Sequence, residues 1–350
     1  MPPIDFAAIP RERLSALLRT MPKAELHVHV EGTLEPELVF RLARRNGMSL
    51  PWADAAALRA AYDFADLQSF LDLYYACAAV LQREQDFFDM AFAYFGRAAA
   101  DGVVHAELFF DPQTHTARGV DMRSVIVGLE HACRRAHAEY GISSRLILCF
   151  LRHLSEDEAF DTLEAALPYR EHFIGVGLDS SEQGHPPEKF ARVFARCHEL
   201  GLLAVAHAGE EGPPSYISGV LDALLAQRID HGVACTRDPA LVQRLARERI
   251  PLTVCPLSNL RLKVVPSLAH HNLPELLEAG LCVTVNSDDP AYFGGYVADN
   301  FVQTFEALPS LGPRQAWQLA MNSFEASFVA TELKSRWAAQ LNQAFRAAAH

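Results

Sequence analysis

Eight short apolar runs, most of them followed by a longer segment with helical spacing, constrain this chain more than any other feature. The runs occupy 24–29, 103–109, 145–150, 174–178, 203–208, 228–231, 251–255 and 282–286, and are rich in β-branched and apolar residues, as strands are. Segments between them, among them 155–169, 188–201, 215–227 and 239–248, carry apolar residues three and four apart with turn residues at their ends, the pattern of amphipathic helices. Eight strands alternating with helices is the count of an α/β fold of the (β/α)8 TIM-barrel type rather than of an open sheet.

Length alone leaves two architectures open. A chain of 350 residues with 50% hydrophobic content can build one large barrel or two smaller domains. No internal repeat, low-complexity stretch or Gly/Ser-rich linker marks a boundary, so one domain over 1–350 is expected. The first connection, 30–102, is far longer than the others and contains helical stretches, with Leu67, Phe70, Leu71 and Tyr74 at i, i+3, i+4, i+7 spacing. It is either a helical lid over a pocket or a helix packed on the barrel's side; the lid is the expectation, with Leu67, Phe70 and Leu71 closing over a ligand.

Metal-binding and acid-base residues come in four packets, each placed where an apolar run stops: His27-Val28-His29, His207-Ala208-Gly209-Glu210, Asp230-His231-Gly232 and Asn286-Ser287-Asp288-Asp289-Pro290. In a (β/α)8 barrel catalytic residues sit at those strand ends. Histidines at i, i+2 on a strand point the same way, so one ion could take both. A third histidine and an aspartate from other strand ends would complete a nitrogen/oxygen shell suited to zinc, with room for a water. Gly209 gives a turn that can bring Glu210 back toward the same mouth. Two adjacent carboxylates, Asp288 and Asp289, at the end of a buried strand need a cation or good donors nearby.

The formal charge of −12, from 31 basic and 43 acidic residues, comes without any basic run, which disfavours nucleic acid as a partner and leaves a small molecule. Seven scattered cysteines, never in a C-x-x-C pair, read as reduced thiols rather than a disulfide framework or zinc site. Charged residues near the start and the lack of a long apolar stretch give no signal peptide or membrane span, so the cytoplasm is expected. Oligomeric state is not legible.

The run Met-Pro-Lys-Ala-Glu-Leu-His-Val-His-Val-Glu-Gly-Thr at 21–33, together with His-Ala-Gly-Glu at 207–210, Ile-Asp-His-Gly at 229–232 and Ser-Asp-Asp-Pro at 287–290, closely resembles the adenosine/adenine deaminase family of the amidohydrolase superfamily. The resemblance runs from about residue 20 to about residue 330. Within it, Phe-Phe-Asp-Pro-Gln-Thr-His-Thr at 109–116 and Gly-Leu-Asp-Ser-Ser-Glu at 177–182 are similar to the adenine deaminase branch. Nucleoside deaminases of the family usually have Asp where this chain has Glu31, and an Ala-Gly pair near Asp179-Ser180. Those departures count against ribose recognition.

The resemblance implies one zinc ion held by His27, His29, His207 and Asp288, with a water whose pKa the metal lowers. It implies that His231 orients that water, that Asp288 helps accept its proton, and that Glu210 protonates purine N1 as C6 is attacked. Asp289 would accept a hydrogen bond from the imidazole edge of the purine, while Glu31, Asp179 and Ser180 would line the side where a ribose would lie. The implied activity is deamination of adenine to hypoxanthine and ammonia, in purine salvage. Deamination of adenosine or of N6-substituted adenines is the alternative within the class, and a purine-binding protein without catalysis is the alternative outside it. Relatives with two metals bridge them through a lysine on the fourth strand; 174–178 has none, so a single metal is expected. The P-C-x-x-C ligands of cytidine-deaminase sites are also missing, since Cys255-Pro256 has no partner cysteine three positions on.

Overall fold

A computed structural model describes residues 3–64 and 67–350; positions 1–2 of the expected domain and 65–66 of the long first connection lie outside the described residues. The strands are β1 (Lys23–His29), β2 (Val103–Phe110), β3 (Ser143–Leu151), β4 (Gly175–Asp179), β5 (Leu203–Ala208), β6 (Arg228–His231), β7 (Pro251–Val254) and β8 (Cys282–Val285). They pair in parallel and in chain order, each to the next, with helices between them. This is the (β/α)8 barrel that the alternation predicts, and each expected run is displaced at its ends by at most two residues.

The seam between β8 and β1 closes on a residue of the fourth packet, Asp288. Beyond the last ladder residue of β8, Asp288 forms a parallel bridge with Val28. The Asp288 N–H donates to the His27 carbonyl at 3.1 Å, and the His29 N–H donates to the Asp288 carbonyl at 3.0 Å. Lower down, the Asn286 side-chain oxygen accepts from the Leu26 N–H at 2.8 Å, a side chain doing what a ladder carbonyl does elsewhere. Closing the barrel therefore also sets Asp288 beside His27 and His29.

Most of the apolar core lies between barrel and helices, while Phe109, Ile147, Cys149 and Val205 form a small separate cluster. A buried ion pair joins β2 to β6: Arg228 Nη1 donates to Glu107 Oε2 at 2.6 Å, and neither side chain is exposed. His105 Nε2 lies 3.2 Å from the other Glu107 oxygen, which also accepts the Phe328 N–H. Burial alone would raise the Glu107 carboxyl, but Arg228 and His105 outweigh it and hold it down to about 2. A depressed folded value means that this pair stabilises fully above the ordinary glutamate range, and that the contribution disappears as pH falls toward 2. Glu107→Ala should cost about 3–5 kcal/mol, because Arg228 is left buried without its carboxylate. Urea unfolding at neutral pH measures this; a loss below about 1 kcal/mol would show that the pair is idle.

The long first connection holds helices Pro36–Arg45, Ala55–Ala60, Leu67–Ala78 and Glu84–Ala100. Helix Leu67–Ala78 packs toward the segment after β8: the Phe70 ring lies 4.7 Å from Phe293, tilted, and 5.6 Å from Tyr292, edge-on, and this aromatic packing holds the helix against the barrel mouth. Among the described residues, no helix is long and apolar enough to cross a membrane.

Candidate active site

Four donors converge at the C-terminal ends of three strands. His27 Nε2 and His29 Nε2 lie 3.2 and 3.5 Å from Asp288 Oδ1, and His29 Nε2 faces His207 Nε2 at 3.2 Å. One ligating atom from each of the four residues lies within 4.8 Å of the others, and all four side chains are buried. His27 Nε2 is buried and, among the described residues, meets no group there but the Asp288 carboxylate, so it is free to ligate an ion shared with that carboxylate. Three imidazoles and one carboxylate fit a divalent metal ion. The other face of His27 is held from below: Nδ1 lies 2.9 Å from Thr253 Oγ1, whose hydroxyl donates to Asp230 Oδ1 at 2.8 Å. Such partners fix ring orientation and tautomer in metal sites. Burial and the neighbouring histidines push His207 well below its ordinary value, into the neutral form that can ligate. Burial alone would raise Asp288, yet His27, His231 and His29 hold it well below the usual carboxylate range.

Glu210 stands beside these donors. Its Oε2 lies 3.4 Å from His231 Nε2, and its Oε1 accepts from the Ser258 hydroxyl at 3.3 Å. Burial, then Asp288 and the acidic neighbours Glu182 and Glu211, push its carboxyl well above the ordinary range, which suits an acid that must hold a proton at neutral pH. His231 also lies 3.7 Å from Asp288 Oδ2. Asp289 is buried with Oδ1 unpartnered, and its close approach depends on Gly32: a Cβ there would sit 1.9 Å from that oxygen. His231, Asp288 and Ser180 all have left-handed backbones, with φ of 64°, 65° and 72°. Non-glycine residues in that region carry strain that persists where surrounding structure demands it, and all three line one cavity.

The cavity is bounded by the metal-site residues on one side and by Leu67, Phe70 and Leu71 from the first connection on another. Asp179 and Ser180, at the end of β4, also line it. Asp179 is buried with neither carboxyl oxygen hydrogen-bonded, and Oδ2 lies 3.5 Å from His29 Nδ1. Ser180 Oγ lies 2.9 Å from His153 Nδ1.

Glu31 is buried within the second connection's contacts. It is not brought to the cavity wall. Its Oε1 accepts from the Asp111 N–H at 3.2 Å and lies 2.8 Å from His115 Nε2, while Oε2 is buried without a hydrogen-bond partner. It opens the short 3-10 turn Glu31–Thr33 that follows β1.

Asp111, which stands in the 109–116 motif without an assigned role, lines the cavity with Oδ1 unpartnered and Oδ2 accepting from Tyr74 at 3.4 Å. Its signal was present: like the packets it ends an apolar strand, β2, with Pro112 following. Ser258 and Thr253 had no comparable signal, since neutral hydroxyls on such segments are common.

The Adenosine deaminase family model matches residues 22–344. The chain is 64% identical over 342 residues to the adenine deaminase of Geotalea uraniireducens, covering 98% of this chain and 96% of that one. It is 62% identical over 343 residues to the adenine deaminase of Trichlorobacter lovleyi, covering 98% of each. The crystal structure of adenine deaminase from Arthrobacter aurescens superposes with a TM-score of 0.91 at 52% identity, over 93% of this chain and 99% of that one. On these matches, and on the site they share a fold with, the chain belongs to the adenosine deaminase family, on its adenine deaminase branch.

Proposed function

We propose that this enzyme hydrolyses adenine to hypoxanthine and ammonia in purine salvage. The observation that carries the reading is the convergence of His29, His207 and Asp288, clustered with His27, and of Glu210, His231 and Asp289 on one cavity, in a chain so similar to adenine deaminases. A single zinc ion held by the four donors would supply the Lewis acidity that makes water a nucleophile near neutral pH. Glu210 donates a proton to purine N1, which draws electron density from C6 and readies it for attack. His231 orients the attacking water, and Asp288 helps accept its proton. Asp289, whose carboxyl burial and the neighbouring Asp288 push well above the usual range so that it keeps its proton, donates a hydrogen bond to the bare imidazole nitrogen and so fixes the ring. The C6–N bond then breaks, the amino group leaves with a proton as ammonia, and the 6-oxopurine remains.

The helices of 30–102 act as a lid within one domain spanning the chain, with Leu67, Phe70 and Leu71 excluding water, which strengthens every electrostatic contact inside. Asp179 and Ser180 take the purine edge away from C6. The seven free cysteines suit a reducing compartment, and the cytoplasm is where we expect the enzyme to work.

Purified protein given adenine should release ammonia and hypoxanthine in equal amounts, and a chelator should stop the reaction. No ammonia from adenine with metal supplied would sink the proposal. Elemental analysis should find about one equivalent of zinc per chain, since four ligands without a bridging lysine make one site. His207→Ala should lose both metal and turnover; two tightly held equivalents would overturn the single-ion reading.

A further inference from the structure

The segment that carries His207 and Glu210 is gripped from two sides by buried charged groups, of which Glu182 has entered so far only as a negative charge beside Glu210. Arg152, just beyond β3 and fully buried, donates from Nη1 to the His207 carbonyl at 2.7 Å. Its Nε and Nη2 are tied to the His185 carbonyl at 3.0 and 2.7 Å, which fixes the guanidinium plane. Glu182, in the loop after β4 and only 2% exposed, accepts three successive backbone N–H groups: Gly209 at 2.9 Å, Glu210 at 2.8 Å and Glu211 at 3.1 Å.

Consecutive amides turned to one point form an anion-binding concavity, here filled by the chain's own carboxylate. Gly209, at φ 72°, makes the turn that lets the amides converge. Gly212 leaves space for the carboxylate, because a Cβ there would sit 2.3 Å from Glu182 Oε2. The Glu210 side chain itself is held loosely, at 3.3 Å from Ser258 and 3.4 Å from His231. Its position therefore depends on its backbone, and that backbone hangs on Glu182 through hydrogen bonds to a charged acceptor, which are the stronger kind.

We infer that Glu182 is a positioning residue for the reaction: by holding the amides of 209–211 against the Arg152-anchored end of β5, it sets the point from which Glu210 reaches the purine. The inference rests on Glu210 as the proton donor. Glu182→Gln preserves size but turns one acceptor oxygen into a donor facing N–H groups. It should lower kcat about 10–100-fold, the cost of a misplacement of about 1 Å, while the KM for adenine and the metal content stay near the parent's. Amide hydrogen exchange across 209–211 should quicken. In a Glu210→Gln background the same substitution should change kcat less than about threefold, since an effect relayed through Glu210 cannot be lost twice.

If Glu182→Gln stays within about twofold of the parent while Glu210→Gln is severely slowed, or if the two losses multiply, Glu182 does not act through Glu210. Loss of metal in step with turnover would also overturn the inference, making Glu182 a support for His207 instead. Glu210→Gln at near-parental rate would instead remove the proton-donor reading itself. Should Glu182→Gln not fold, Glu182→Asp keeps the charge with shorter reach, and the same split between kcat and KM is expected of it.

Discussion

Adenosine should be turned over about 10⁴-fold less efficiently than adenine in kcat/KM, because the site offers buried acceptors to an N–H that a nucleoside does not have. Both oxygens of Asp179 and one of Asp111 are buried on the cavity without hydrogen-bond partners. Free adenine carries an imidazole N–H to meet such an acceptor, whereas in adenosine that nitrogen bears the glycosidic bond. An unpaired buried acceptor costs about 1–3 kcal/mol, more when charged, and sites built around a substrate N–H or O–H reject analogues lacking it by about 10⁴–10⁵. Leu67, Phe70 and Leu71 line the same cavity and leave a ribose to compete with apolar side chains. Glu31 accepts the Asp111 N–H and so helps to hold that residue in place. Kinetics of both substrates on one preparation decide the point. Adenosine within about tenfold of adenine would mean that Asp179 and Asp111 do not read the N–H.

Glu210→Gln should lower kcat by about 10²–10⁴-fold with metal and purine binding retained, since a positioned general acid contributes on that order. Glutamine keeps the shape and the Ser258 contact but carries no acidic proton for N1. Glu210 lies outside the four-donor cluster, so its replacement should leave the metal in place, unlike His207→Ala. Elemental analysis alongside steady-state kinetics separates the two outcomes. A Glu210→Gln enzyme within a few-fold of the parent would assign the proton to another group.

The architecture was legible because barrel strands are local in sequence: 228–231, for instance, ends in Asp-His, and both the strand and its polar end are visible in four residues. His27 and His29 were readable for the same reason, since side-chain direction along a strand follows from chain geometry alone. So were His207, Glu210, Asp288 and Asp289, each of which breaks an apolar run.

What only the tertiary structure decided is which groups meet across strands. Glu31 stands two positions from His29 yet turns to His115, far along the chain, while Asp111 from β2 comes to face Asp179 from β4. Glu182 and Arg152 look in sequence like ordinary surface charges, and only the folded chain shows them buried on the backbone around Glu210 and His207. The reason is physical. Periodicity and strand ends are properties of a segment, but the partner of a buried polar group is chosen by the closure of the barrel, which brings together atoms that local spacing cannot relate.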